Sequence, residues 1–180
     1  MNRRNILTLS VIATCGIIML PSSALSRQRM LKDQLVGTWN VVSWERSAPD
    51  GTKVHTFGTS PQGINFFGDN GRFFVFFARS DLPKLASNVR ANATPQEAMA
   101  LYQGTIAYHG TYTVDDAAKA INLRIEATTF PNQSREQKRM IVSIADNDLT
   151  YMNPAATAGG QVRISLKRAI EATVGGPPAR

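Results

Sequence analysis

His55 and His109 are the only histidines of the 180-residue chain, and neither stands at metal-ligand spacing from a second one. A zinc site would have to draw both from distant strands, so no metal ligands are assigned. Fixed-spacing catalytic signatures are missing too. There is no Gly-x-Ser-x-Gly elbow, no phosphate-cradling loop and no dinucleotide fingerprint, so no catalytic set and no cofactor is expected. Along 105–114 the more apolar alternate set is Ile106, Tyr108, Gly110, Tyr112 and Val114. That set should face inward, placing Tyr108 and Tyr112 inside and His109 outside; a one-residue slip would make His109 an interior base. Glu126 opposes Ile121, Leu123 and Ile125 and reads as solvated, and only a buried Glu126 would serve in acid–base work. Arg79 shares parity with Phe73, Val75 and Phe77. It would either meet an anionic head group at a cavity mouth or pair with Asp81 on the surface. Phe73, Val75, Phe77, Arg79, Tyr108 and Tyr112 are therefore the candidate lining of an interior ligand site.

Such a lining needs a sheet that curls around it. Turn chemistry at Pro49-Asp50-Gly51, Gly68-Asp69-Asn70-Gly71, Asp115-Asp116 and Asp146-Asn147-Asp148 punctuates the chain. Strands are expected near 36–46, 52–57, 62–67, 72–79, 105–114, 119–129, 137–145, 148–153 and 161–168. Ile121, Leu123 and Ile125 alternate with polar neighbours, as do Val162, Ile164 and Leu166. Many short strands with one helical interruption argue for an all-β, closed or nearly closed antiparallel sheet. The interruption is the helix 94–103, opened by Thr94-Pro95-Gln96-Glu97 in capping-box order and ended by Gly104. With the long connection before it, this helix would either form a lid over the barrel mouth or cover a sheet edge. Phe73-Phe74-Val75-Phe76-Phe77 is apolar on both faces. One set must line the interior, while the other is either covered, as in a core strand beneath other elements, or exposed to a partner.

The first 26 residues read as a removable leader, with an uncleaved membrane anchor as the alternative. Asn2-Arg3-Arg4-Asn5 is basic, Ile6 to Leu20 is apolar-leaning but short for a membrane span, and small residues allow cleavage after Ala24 or Ser26. The Arg3-Arg4 pair is compatible with twin-arginine export. A periplasmic or secreted address follows. Cys15, the only cysteine, would leave with the leader, so the mature domain would be held without disulfides. Residues 27–34 are a polar lead-in, 35–169 the domain, and 170–180 an expected disordered tail. The formal charge is +7, or +5 once Arg3 and Arg4 are gone, and it is scattered in singles and pairs such as Lys138-Arg139 and Lys167-Arg168. Scattered charge reads as a solvated surface. It argues against nucleic acid as a partner and leaves an anionic membrane surface or ligand open.

Leu35 to Glu45, LVGTWNVVSWE, resembles the Gly-x-Trp first strand of lipocalins and fatty-acid-binding proteins. Over residues 35–169, stretches such as NGRFFVFFARSDLPKLASN, GTIAYHGTYTVD, EQKRMIVSI and GGQVRISLKRA resemble the bacterial lipocalin-like domain family in unbroken order. The resemblance implies an up-and-down lipocalin-like (calycin-type) barrel and a small hydrophobic or amphipathic ligand, with no shared catalytic set to transfer. It also implies a basic residue of the last strand lying across the first-strand Trp. Parity selects Arg168 rather than Lys167, so Arg168 is expected on Trp39. The function expected is a binding protein. The alternatives are an isomerase or cyclase acting on a lipophilic substrate, or a filled barrel working through its surface.

Overall fold

The structure, a computed structural model, describes residues 30–48 and 50–170. The expected leader at 1–26 and the tail from 171 onward lie outside the described residues. Nine strands form one sheet: β1 (Gly37–Ser47), β2 (Lys53–Val54), β3 (Gln62–Phe67), β4 (Arg72–Ala78), β5 (Thr105–Asp115), β6 (Ala120–Thr128), β7 (Glu136–Ala145), β8 (Asp148–Asn153) and β9 (Val162–Arg168). From β3 to β9 each strand pairs antiparallel with the next in sequence. β1 closes the ring by pairing with β3 from Gly37↔Phe67 to Asn40↔Ile64, and with β9 from Trp39↔Arg168 to Arg46↔Val162. The result is a closed eight-stranded, up-and-down barrel, with β2 hung on the end of β1 through Arg46↔Val54.

Three bulges shape it. The one between Val41 and Ser43 resets the alternation of β1, so that Trp39 and Trp44, five positions apart, both face the interior. In an unbroken strand an odd separation would put them on opposite faces. The second skips Glu126 on β6 opposite His109 and Gly110, and the third lies between Ile141 and Ser143 on β7.

One barrel end is sealed. Helix α1 (Leu31–Leu35) crosses it, with Leu35 fully buried and Leu31 packed on the core, where a polar lead-in was expected. The Trp39 indole N–H donates to the Leu35 carbonyl at 2.8 Å. Arg168 takes the place expected of it: its guanidinium carbon lies 4.1 Å from the indole centroid, and it donates to the carbonyls of Val36 (2.8 Å) and Gln34 (2.6 Å). One cation therefore stacks on the plug and ties the chain entering β1 to the end of β9. Above the plug, Phe67, Phe73, Val75, Tyr112, Leu123 and Leu166 fill the barrel as ordinary core.

One expectation changes, and one alternative is decided. The strand expected over 52–57 shrinks to Lys53–Val54, because the following turn carries Phe57 into the barrel against Trp44 and Phe77, at 5.1 and 5.7 Å between ring centroids. The aromatic run on β4 is not covered on both faces. Phe74 is 37% exposed and faces the equally open Phe66 across the β3–β4 ladder.

Candidate functional site

The half of the barrel opposite the plug is hollow, with a cavity of about 470 Å³. Strand residues Trp44, Phe77, Thr105, Tyr108, Arg139 and Asn153 line it. Its mouth is framed by Phe57, by Phe130 and Gln133 from the turn after β6, by Ala156 to Ala158, and by helix α2 (Pro95–Gly104) through Tyr102 and Gln103. α2 therefore sits at the mouth, and its position is built as the sequence suggested. Thr94 caps it, and the Glu97 carboxylate accepts from the Thr94 amide (2.8 Å), the Thr94 hydroxyl (3.0 Å) and the Ala86 amide (2.8 Å) of the preceding loop. These bonds, the Thr94 amide foremost, hold the Glu97 carboxyl below its ordinary value. A carboxylate bound this way stabilises the loop–helix junction above the unfolded pKa, and the effect is lost as pH falls through the lower folded one. The Ala86 amide resonance is therefore expected to titrate with a midpoint below 4.5 and to be insensitive to pH in Glu97→Gln, as read by NMR.

Of the six residues expected to line a ligand site, Phe77, Arg79 and Tyr108 border the cavity. Phe73, Val75 and Tyr112 are also buried, but they belong to the filled half. Tyr112 is turned away by its own hydroxyl, which donates to the Gly68 carbonyl at 2.8 Å near the sealed end. Burial raises its pKa, with Asp69 adding to the effect. Arg79 lines the mouth and is paired with Asp81 through two bonds of 2.8 and 2.7 Å. His109 and Glu126 are on the outside, 4.0 Å apart. Glu126 is held by a two-pronged Arg72 pair that lowers its pKa.

The residue that sequence reasoning misplaced is Arg139. Taken with Lys138 as scattered surface charge, it is 2% exposed and points into the barrel. Parity with Gln137 and Ile141 was the available signal. Its guanidinium reaches Asn153 Oδ1 and the Lys138 carbonyl, both at 3.1 Å, the Tyr108 hydroxyl at 3.4 Å, and Gln137 Oε1. Below it Asn65 donates to the Tyr151 hydroxyl, and burial drives the Tyr151 pKa far upward, so this phenol stays protonated. Asn65 Oδ1 is buried with no hydrogen-bond partner among the described residues. The described lining contains no Asp, Glu or His. The described interior is thus rich in hydrogen-bond donors and poor in bases.

The chain thus forms a closed barrel with a stacked Trp–Arg plug and a one-ended cavity, and the lipocalin-like domain family model matches residues 36–168. The chain belongs to the lipocalin-like domain family. Among solved structures, this lipocalin-like barrel is similar to a redesigned beta barrel at 14% identity and a TM-score of 0.40, covering 79% of this chain and 98% of that one. No curated protein matches it.

Proposed function

We propose that this lipocalin-like protein is an exported binding protein that holds a small hydrophobic or amphipathic molecule in the open half of its barrel. The observation that carries the reading is the cavity of about 470 Å³, walled by aromatic rings at one end of a barrel whose other end is solid. That volume lies in the range of small-molecule sites, and Trp44, Phe57 and Phe77 supply flat apolar surface. Burying ligand apolar area at about 25 cal/mol per Å² is the main source of affinity, less the cost of association. The basic, apolar and small-residue order of the first 26 positions supports export.

Native purification followed by mass spectrometry of the organic extract tests the reading. One small apolar or amphipathic compound should be recovered per chain, chemically unchanged by prolonged incubation. Recovery of nothing, together with failure to bind any apolar fluorescent probe, would overturn it. Conversion of the compound during incubation would favour an isomerase or cyclase instead.

A further inference from the structure

Arg139 is the one charged residue among those described as buried, and it is nine-tenths or more removed from water. Its four named partners, on Asn153, Lys138, Tyr108 and Gln137, are all neutral oxygens. None of the ion pairs among the described residues includes it, and no carboxylate stands in the described cavity lining. A cation taken out of water without a counter-charge is costly, and neutral acceptors offset only part of that cost.

The polar groups around it are arranged to give protons rather than take them. Asn153 Oδ1 already accepts from Arg139 and from the Ala155 amide, which leaves the Asn153 N–H₂ as its remaining function. Gln133 Oε1 accepts the Thr128 hydroxyl at 2.6 Å, which again leaves N–H₂. The Tyr108 oxygen accepts from Arg139, so its own O–H is available to donate. These three side chains and Arg139 all line the cavity.

We propose that the cavity takes a small amphiphile carrying a single carboxylate, with the head group on Arg139 and Tyr108 and the apolar body along Trp44, Phe57 and Phe77. The proposal rests on the reading of the cavity as a ligand site and adds its chemical class. A monoanion fits the charge count: one interior guanidinium lacks a counter-charge, whereas Arg79 at the mouth already has Asp81. A phosphate dianion would leave excess negative charge buried, a neutral head group would leave Arg139 uncompensated, and an ammonium would add like charge.

The test is titration of the purified protein with four probes sharing one dansylated alkyl chain: the carboxylic acid, its methyl ester, the primary amine and the phosphate monoester. Wild type is expected to bind the acid at least about thirty-fold more tightly than the ester. Arg139→Met should bind acid and ester alike, and Tyr108→Phe should narrow the gap without closing it. Should Arg139→Met fail to fold, the wild-type probe series and Tyr108→Phe still decide. Equal binding of acid and ester by wild type overturns the carboxylate assignment while leaving the cavity reading intact. Tighter binding of the amine or the phosphate also overturns it. If none of the four binds, the proposal falls, and the cavity reading falls with it when native purification also recovers no compound.

Discussion

Gly110→Ala is expected to destabilise the barrel by about 4 kcal/mol, seen as a lowered denaturant midpoint. A Cβ at this position would stand 1.9 Å from the Arg124 carbonyl oxygen, 2.9 Å from its carbon and 3.1 Å from the Glu126 nitrogen. All three are backbone atoms, which cannot rotate aside as a side chain would. The crowding follows from the bulge: β6 passes one residue more than β5 here, and the ladder steps from His109↔Ala127 to Gly110↔Ile125. Room for the methyl requires the two strands to part, which gives up ladder hydrogen bonds at about 1 kcal/mol each in addition to the strain. Gly71→Ala separates this effect from backbone conformation. Its φ of +77° is costly for alanine, but the nearest atom to its Cβ would be the Tyr112 oxygen at an ordinary 3.5 Å. Its expected cost is about 1–2 kcal/mol. Equal losses at the two sites would refute the steric account of the bulge. Because Tyr108 lies two residues from Gly110 and reaches Arg139, parting β5 from β6 should also weaken ligand binding.

The contrast between Gly110 and Arg139 shows what the sequence could disclose. Strands with unbroken alternation were legible to within a residue or two, as at Ile121, Leu123 and Ile125, because one period-2 face is simply apolar. The capping box at Thr94 to Glu97 was legible because both partners lie within four residues. Bulges were not. The irregularity at Val41/Ser43 carries Trp44 inward, and the one at Ile141/Ser143 leaves Val142 exposed, so β7 shows no single apolar face to read. Arg139 sits on that strand beside Lys138, and a charged pair on an irregular strand looks like surface. Half of the candidate lining was placed at the cavity, because inward parity says which face a residue joins but not which end of the barrel is filled. That depends on Phe57, Phe130 and Gln133, brought from loops by contacts made only in the folded chain.

The filled end bears the second large effect. Trp39→Ala is expected to cost about 5 kcal/mol, because a fully buried indole is removed from a site ringed by strand backbone that cannot collapse into the space. The loss has three separable parts: apolar packing, the N–H bond to Leu35, and the face on which Arg168 lies. Trp39→Phe keeps most of the packing and an aromatic face while deleting the N–H donor, so about 1–2 kcal/mol is expected, part of it the carbonyl of Leu35 left without its partner. Arg168→Met removes the cation and both carbonyl ties at Gln34 and Val36. Combining Arg168→Met with Trp39→Leu, which takes away the aromatic face, in a double-mutant cycle isolates the interaction across the ring, expected at about 1 kcal/mol. Strict additivity would mean that the guanidinium acts only through the two carbonyls. Because the plug and the cavity occupy opposite ends, Trp39→Phe should leave the affinity for a cavity ligand unchanged while lowering the denaturant midpoint. A parallel loss of binding would show that the two ends are coupled through the packed core between them.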